Sequence, residues 1–225
     1  MRRFAVLAAA LAAGVIAAAP AWAASRAVGS PSHGRLIGGV PLAGESPWWF
    51  TWHFADRASP NPAWRRYGTE RLIATVERVL TAYEQAHPDA ARIGVGDLSP
   101  KGGGPFPPEP GSVGHSSHQN GLDADVLFPR RDGCECAPDT AADVDRALAQ
   151  DLVDRFAAAG GVQYLFVGPS LRLRGPRGLV IPLRYHDTHV HVRVFRGPAP
   201  AGWTPWRPAP PALTPVAPGG TPILR

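Results

Sequence analysis

The segment that organises this chain is GHSSHQNGLDAD, residues 114–125, and its distant partner is HDTHVH, residues 186–191. Five of the eight histidines of the 225-residue protein lie within these two short segments. Neutral imidazole and carboxylate are common zinc ligands, and a catalytic zinc needs three protein ligands and one open position. We therefore interpret His118, Asp125 and His191 as three metal ligands that the rest of the chain brings together.

The second segment continues as a strictly alternating run, HVHVRVF at residues 189–195. A period of two predicts a strand with His189, His191 and Arg193 on one face and valines on the core face. Taken alone, an H-x-H pair is usually two solvated surface histidines. The first segment favours a metal site instead, because it supplies a histidine and carboxylates around a short glycine-containing turn.

Two aspartates compete for the carboxylate position. A strand predicted over residues 122–128 places Asp123 and Asp125 on one face, with Ala124 and Val126 on the other. Asp125 could instead be the salt-bridge partner of an arginine. We prefer Asp125 as the metal ligand and Asp123 as a residue that orients a ligand or binds substrate. Nitrogen and oxygen ligands without cysteine favour a hydrolytic site over a structural one.

The N-terminus has the composition of an export signal. Arg2 and Arg3 precede an alanine-rich apolar run over residues 4–19, and AWA at residues 21–23 offers a cleavage site. We expect residues 1–23 to be a signal peptide, because the run is short for the alternative, a membrane anchor. The predicted mature protein is periplasmic or secreted and has no membrane segment.

The formal net charge of +5 is only mildly basic. The cations are scattered, so no surface for a nucleic-acid backbone is predicted. The sequence does not indicate an oligomeric state. Cys134 and Cys136 form a C-x-C pair that is compatible with a disulfide or with free thiols in an exported chain, and two thiols alone cannot make a structural zinc site.

Apolar periodicity predicts two helices. Residues 69–87 carry an apolar stripe at three- and four-residue spacing, with Thr69 as the N-cap and Pro88 as the stop. A second stripe predicts a helix from residue 139 or 140 to Gly160. Strands are predicted at residues 92–98, 122–128, 163–167, 179–185 and 189–195.

Two further segments have a distinctive composition. The aromatic run at residues 47–54 favours core or a packed edge strand over a sugar-stacking surface. From Pro198 to residue 225, recurring prolines predict a disordered or loosely draped Pro-rich tail.

The two motifs resemble those of zinc peptidases that cut peptidoglycan. Residues 116–125, SSHQNGLDAD, resemble the S-x-H-x-x-G-x-x-x-D motif of these enzymes, and HVH at residues 189–191 resembles their H-x-H motif. His115 before the first motif and His186 before the second make the chain more closely similar to the penicillin-insensitive murein endopeptidases. Weaker similarities lie at residues 65–67, 96–97 and 166–167, and the resemblance extends to about Phe195.

The resemblance implies a fold, a site and a reaction. The fold is α+β, a small antiparallel sheet that carries the zinc site with helices packed against it, over a murein endopeptidase domain at residues 24–197. The reaction is hydrolysis of the D-alanyl–meso-diaminopimelyl cross-link of peptidoglycan by metal-activated water. The implied site has zinc (Zn2+) on His118, Asp125 and His191, with His189, His115 and His186 as catalytic residues.

The implied roles of the three catalytic histidines differ. His189 would not be a ligand but a general base or, if charged, a stabiliser of the tetrahedral oxyanion. His115 and His186 would bind the oxyanion or a substrate carboxylate, or support the ligands.

Some features leave other functions open. The chain lacks the several cysteines of better-known members and is shorter between the second helix and the H-x-H strand, which leaves loop-defined substrate choice undecided. One alternative is a D-alanyl-D-alanine carboxypeptidase or dipeptidase of the same zinc family. Another is a non-catalytic cell-wall-binding module, which would fit the aromatic run and the basic charge but would not explain His189.

Overall fold

The computed structural model describes residues 24–107 and 116–206. The helices in these ranges are α1 (Glu70–Ala86) and α2 (Arg146–Ala158). The strands are β1 (Arg26–Gly29), β2 (Gly34–Ile37), β3 (Val40–Pro41), β4 (Trp49–Thr51), β5 (Tyr67–Gly68), β6 (Ile93–Val95), β7 (Asp123–Leu127), β8 (Val162–Val167), β9 (Val180–Pro182) and β10 (His189–Val194). The predicted signal peptide, His115 and the tail from residue 207 onward lie outside the described residues.

Six strands form the central sheet, in the order β4-β6-β7-β10-β8-β9. The three inner pairs are antiparallel, which confirms the predicted α+β class. The two outer pairs, β4–β6 and β8–β9, are parallel, so the sheet is mixed rather than purely antiparallel. Parallel neighbours need a crossover of about a dozen residues or more. The connections that contain α1 and residues 168–179 provide those crossovers. Two small antiparallel pairs, β1–β2 and β3–β5, lie beside this sheet.

Helix α1 forms where the periodicity predicts it. The Thr69 hydroxyl accepts a hydrogen bond from the backbone N–H of Leu72 (3.3 Å), which satisfies one of the free donors of the first turn. The helix ends at Ala86, two residues before Pro88. Its buried apolar residues form part of the main core: Leu72, Ile73, Val76, Val79, Leu80 and Tyr83.

Helix α2 begins later than the sequence predicts. Thr140 caps a short 3-10 helix over Ala141–Asp143, and the Asp143 carboxylate accepts a hydrogen bond from the Thr140 backbone N–H (2.9 Å). Val144 is then extended, and Asp145 caps α2 through the N–H groups of its first turn. The predicted start at residue 139 or 140 is therefore wrong, because two caps close together divide the segment.

The two faces of the central sheet differ: one lies beneath the helices, and the other, here called the polar face, carries the polar residues of β7 and β10 beside a small apolar cluster of Phe50, Trp52, Leu127 and Ala137. The valines of β10 and the alternate β7 residues Ala124 and Val126 lie in the main core beneath both helices. The intervening residues of both strands lie on the opposite face, which confirms the predicted alternation. These residues are His189, His191 and Arg193 on β10, with Asp123 and Asp125 on β7.

The aromatic segment is core, as the sequence favours. Trp49 and Phe50 on the edge strand β4 are buried. The beginning of the tail packs on the same region, because Trp203 Nε1 and the Trp206 backbone N–H both donate hydrogen bonds to the buried Glu77 carboxylate (3.0 and 3.1 Å). The Trp206 ring also lies edge-on to Trp49, with centroids 5.6 Å apart. The prediction of a loosely draped tail is therefore wrong for these two tryptophans.

The loop between β7 and α2 carries the two cysteines. A disulfide joins Cys134 and Cys136, with their Cα atoms 5.3 Å apart, so the pair is a disulfide and not two free thiols. Glu135 between them accepts two hydrogen bonds from the Arg92 guanidinium (2.8 and 2.6 Å), which attaches this loop to the body of the protein.

Candidate metal centre

Three of the sequence-predicted residues meet on the polar face of the sheet. Strands β7 and β10 pair so that Asp125 lies opposite His191, and His118 lies in the turn before β7. One nitrogen or oxygen atom from each of the three side chains lies within 4.8 Å of the others. The side chains are buried, with residue exposures of 2% for His118, 4% for Asp125 and 6% for His191. This group could hold a metal ion.

The turn before β7 fixes the orientation of His118. Its backbone has a φ of +69°, which is uncommon for a residue other than glycine, and its N–H donates to Asp123 Oδ2 (3.1 Å). Its Nδ1 lies 2.7 Å from the Leu98 carbonyl, which can only accept a hydrogen bond. Nδ1 therefore carries the proton, and Nε2, 3.4 Å from Asp125 Oδ1, presents a lone pair toward the site.

The contacts of His191 separate the roles of the two aspartates. His191 Nδ1 lies 3.1 Å from Asp125 Oδ1, and His191 Nε2 lies 3.2 Å from Asp123 Oδ1, without the alignment of a hydrogen bond in either case. Asp123 is already engaged, because Arg193 donates to it from Nε (2.6 Å) and Nη2 (3.3 Å). Asp125 Oδ1, in contrast, is buried and makes no hydrogen bond in the described parts of the chain. This difference supports Asp125 as the oxygen that faces a cation.

The charges around the group also fit a cation. Burial raises the pKa of Asp125, but His118 and His189 outweigh burial and hold that pKa well below its usual range. Burial lowers the pKa of His191, yet the carboxylates of Asp123 and Asp125 outweigh it and raise that pKa to about 9. At neutral pH a proton on His191 therefore lies between two carboxylates. A divalent metal can replace this proton, so the residues present fit a metal ion.

Two further predicted histidines adjoin the group. His189 Nε2 lies 3.7 Å from Asp125 Oδ1, and burial lowers the pKa of His189 to about 4, so its imidazole is neutral at pH 7. The His186 ring lies 5.0 Å from the His189 ring, and burial lowers its pKa as well. The structure thus brings His189 and His186 to the predicted ligands, while His115 lies outside the described residues.

A buried network that the sequence did not assign a role supports β7. Arg65 donates to both oxygens of Asp97, from Nε to Oδ1 (2.6 Å) and from Nη2 to Oδ2 (2.7 Å). Asn61 Nδ2 donates to the same carboxylate (3.0 Å), and the Asp97 carbonyl accepts a hydrogen bond from the Asp125 backbone N–H (2.9 Å). Arg65 and Asp97 both lie in short segments that resemble the peptidase family, and this resemblance was the one feature of the sequence that pointed to them. Their pairing joins residues 32 positions apart and could not be predicted from local pattern.

Phenylalanine rings surround the histidines of the site. Phe166 lies 5.5 Å from the His191 ring, Phe54 lies 5.7 Å from His189, and Phe106 lies 6.2 Å from His118. At Gly96 a Cβ atom would lie 2.4 Å from the Phe54 ring, so any side chain here would have to displace that ring from its place beside His189. An apolar surround of this kind limits water access and strengthens electrostatic interactions within the site.

Comparison with known families places the protein in a class of peptidases that act on the cell wall. A family model described as penicillin-insensitive murein endopeptidase matches residues 27–162, more than half of the chain. The chain belongs to this family, as its motifs indicate. A search of curated proteins found no match. The matched segment contains His118 and Asp125 but ends before β10, so the grouping of His191 with them rests on the geometry.

Family membership defines the broad biochemistry. The substrate class is peptidoglycan, and the place of action is the cell wall. Within residues 24–107 and 116–206, no helix has the length and apolar character needed to cross a bilayer.

Proposed function

We propose that the protein is a zinc-dependent murein D,D-endopeptidase, a hydrolase of the D-alanyl–meso-diaminopimelyl cross-link of peptidoglycan. The observation that carries this proposal is the buried group of His118, Asp125 and His191, in which Asp125 Oδ1 makes no hydrogen bond within the described ranges. A buried carboxylate oxygen without a partner is costly unless a cation compensates it. In a murein endopeptidase family, such a cation site supports metal-dependent peptide hydrolysis.

Each residue of the group has a proposed role. His118, Asp125 and His191 would hold the metal and leave one position open. When bound, zinc supplies Lewis acidity toward water and toward the scissile carbonyl. His189 accepts a proton from the attacking water at Nε2, which is supported by its neutral state and its position beside Asp125, and returns a proton to the leaving amine. Charge stabilisation of the oxyanion by a protonated His189 is the other role that this position allows.

The remaining proposals concern the neighbours of the metal ligands. Asp123 and Arg193 orient His191, because Asp123 lies against both His191 Nε2 and the Arg193 guanidinium. His186, half-buried beside His189, contacts the substrate near the scissile bond, and His115 completes the site.

The proposed site of action is the periplasm or the exterior of the cell. Residues 1–23 would direct export, residues 24–197 would form the catalytic domain, and residues 198–225 would form a C-terminal extension. The disulfide between Cys134 and Cys136 supports an oxidising compartment.

The first experiment is digestion of purified cross-linked muropeptide dimers with and without a chelator, followed by mass spectrometry. Monomer release that stops with the chelator and returns with zinc is the expected result. Loss of terminal D-alanine without dimer cleavage would replace the proposal with a carboxypeptidase. Zinc binding without either reaction would replace it with a cell-wall-binding module.

The substitution His189→Ala separates catalysis from metal binding. Because His189 acts on the proton and not on the metal, we expect zinc affinity to stay within about threefold of wild type while kcat falls about a hundredfold to ten-thousandfold. Competition with a chromophoric chelator measures the affinity, and dimer cleavage measures kcat. His33→Ala, an exposed histidine in the turn after β1, is the matched control. Unchanged hydrolysis in the His189 variant would remove this residue from the mechanism.

A further inference from the structure

Trp64 is the most exposed of the tryptophans within residues 24–107 and 116–206, with an exposure of 37%. The other five in these ranges belong to the two apolar clusters of the fold: Trp48, Trp49, Trp203 and Trp206 in the main core and Trp52 in the small cluster. Among the described residues, Trp64 belongs to neither cluster. A single exposed apolar side chain is ordinary by itself, so the significance of Trp64 depends on where it lies.

Two sets of contacts place Trp64 beside the candidate metal centre. Through the backbone, the Leu98 N–H donates to the Arg65 carbonyl (3.0 Å), and the Leu98 carbonyl lies 2.7 Å from His118 Nδ1. Through the rings, Trp64 lies 5.8 Å from Phe106, and Phe106 lies edge-on to His118 with centroids 6.2 Å apart. Trp64 is therefore two ring contacts away from a proposed metal ligand.

The Arg65 guanidinium holds both rings in place. Its central carbon lies 4.9 Å from the centre of the Trp64 ring and 4.6 Å from the centre of the Phe106 ring, within the range of cation–π attraction. Arg65 is 2% exposed, and its two-point pairing with Asp97 fixes the guanidinium. We name the rings of Trp64 and Phe106 the aromatic pair. Because a buried arginine fixes it, the aromatic pair presents a preorganised surface to a ligand.

The position of the aromatic pair fits contact with a substrate peptide. Ring contacts of 5.8 and 6.2 Å separate Trp64 from His118, and an extended peptide advances about 3.3–3.6 Å per residue. A peptide whose scissile bond lies at the metal group can therefore reach Trp64 with a residue within about four positions of that bond. An indole ring offers a large contact area to methyl and methylene groups at a low cost in side-chain entropy.

We propose that Trp64 is a specificity residue that binds the peptidoglycan peptide by apolar contact, within about four residues of the scissile bond. The inference rests on the proposed function, since it takes the peptide cross-link to be the substrate at the metal group. We favour the peptide over a sugar ring because the peptide is the part of the polymer that must enter this group. Binding energy from residues beyond the scissile bond favours an intact cross-link over a short fragment.

The test compares the same substitution at two tryptophans. Trp64→Ala removes the exposed ring beside His118, and Trp48→Ala removes a partly buried ring that packs on the main core beside Trp206. Trp64→Phe retains an aromatic ring at the first position. Each variant is checked for folding by circular dichroism and for zinc affinity by chelator competition. Cleavage kinetics are then measured on cross-linked muropeptide dimers and on a capped dipeptide that contains only the scissile bond.

We expect Trp64→Ala to lower kcat/KM on dimers about tenfold, mainly through a raised KM, while Trp64→Phe and Trp48→Ala stay within about threefold of wild type. On the capped dipeptide, and in zinc affinity, Trp64→Ala should stay within about twofold. An equal loss on both substrates, or a loss of zinc affinity, would show that Trp64 acts through His118 and would overturn the proposal. Wild-type kinetics on dimers would overturn it as well, as would peptide-free glycan strands that compete with dimers only when Trp64 is present.

A binding measurement keeps this proposal separate from the proposed function. Calorimetry measures the affinity for dimers in the zinc-loaded His189→Ala background, in which cleavage is expected to be slow. There, adding Trp64→Ala should weaken dimer binding about tenfold, and adding Trp48→Ala should leave it within about twofold. If the wild-type protein does not cleave dimers, the proposed function fails, but this difference in binding would still support the contact at Trp64. Equal dimer binding with and without Trp64→Ala would overturn the contact, whether or not dimers are cleaved.

Discussion

The two faces of strand β10 consist of alternating residues of one short segment, yet their surroundings differ completely. Val190, Val192 and Val194 are fully buried among aliphatic side chains beneath the helices. His189 and His191 on the other face lie near carboxylates, while Arg193 is paired with Asp123. The valine face therefore contributes to stability through apolar burial, about 1.5–3 kcal/mol for each valine. The side chains of His189, His191 and Arg193 contribute much less in this way, because they are polar.

This difference indicates that the residues of the polar face contribute little to the free energy of unfolding. Two buried aspartates and two buried histidines are costly to desolvate, and Asp125 Oδ1 makes no hydrogen bond in the described part of the chain. Such a cluster persists because the apolar face of the same strands holds it in place. A bound metal would offset the cost, so substitutions on the two faces should separate function from stability.

The largest effect on the metal centre is expected from Asp125→Ala. Removing the cation-facing carboxylate should lower zinc affinity by on the order of a thousandfold or more, since the two remaining histidines hold a metal weakly. The fold should be retained, because the variant also removes a buried charge. Chelator competition measures the affinity, and circular dichroism checks the fold. An affinity within tenfold of wild type would exclude Asp125 as a ligand.

A smaller effect is expected from Asp123→Asn. Asparagine retains the shape but loses the charge that faces Arg193 and His191, so zinc affinity should fall about 10- to 100-fold through loss of orientation. Glu135→Gln is the matched control, because it removes a carboxylate from another two-point arginine pair, with Arg92, away from the site. A thousandfold loss in Asp123→Asn would instead indicate that Asp123 is the direct ligand.

The polar face should also make the metal-free protein sensitive to pH. The pKa of His191 is raised to about 9 from 6.5, so its stabilising contribution is complete below about pH 6.5 and is lost as pH rises through 9. The pKa of His189 is lowered to about 4, so its protonation favours the unfolded chain as pH falls from 6.5 to 4. The combined contribution of these two histidines to the stability of the metal-free protein should therefore be largest near pH 6.5.

The same proton competes with zinc. Because the metal must displace the proton on His191, zinc affinity should rise about tenfold per pH unit until about pH 9. Urea unfolding at a series of pH values with chelator measures the stability, and calorimetry in buffers of different ionisation enthalpy measures the released proton. Increasing stability between pH 6.5 and 9 would contradict this account.

The smallest effect on the metal centre is expected from Val192→Ala, one residue away from His191 on the same strand. It removes fully buried methyl groups and should lower the free energy of unfolding by about 2 kcal/mol. Zinc affinity of the folded protein should stay within about twofold of wild type, since the side chain points to the opposite face. A large loss of affinity would show that the two faces are coupled.

Local pattern was sufficient for the elements that carry the site. The stripe of α1, its Thr69 cap and the alternation of β10 follow from spacing and side-chain chemistry within a few residues, and the structure confirms each of them. The start of α2 could not be predicted from local pattern. A short 3-10 helix capped by Thr140 and a helix capped by Asp145 share one apolar stripe, and the turn between them depends on backbone geometry.

The sequence by itself determined the candidate ligands and the family, because both are properties of short motifs, and the α+β class followed from that resemblance. Only the tertiary structure decided which aspartate is engaged by Arg193, 70 positions away, and which is left facing His118 and His191. It likewise decided that Trp203 and Trp206 pack on Glu77. These outcomes depend on contacts between distant segments, in which the cost of burying a charged group is offset by the partner that it finds. Such contacts leave no periodic pattern in the sequence.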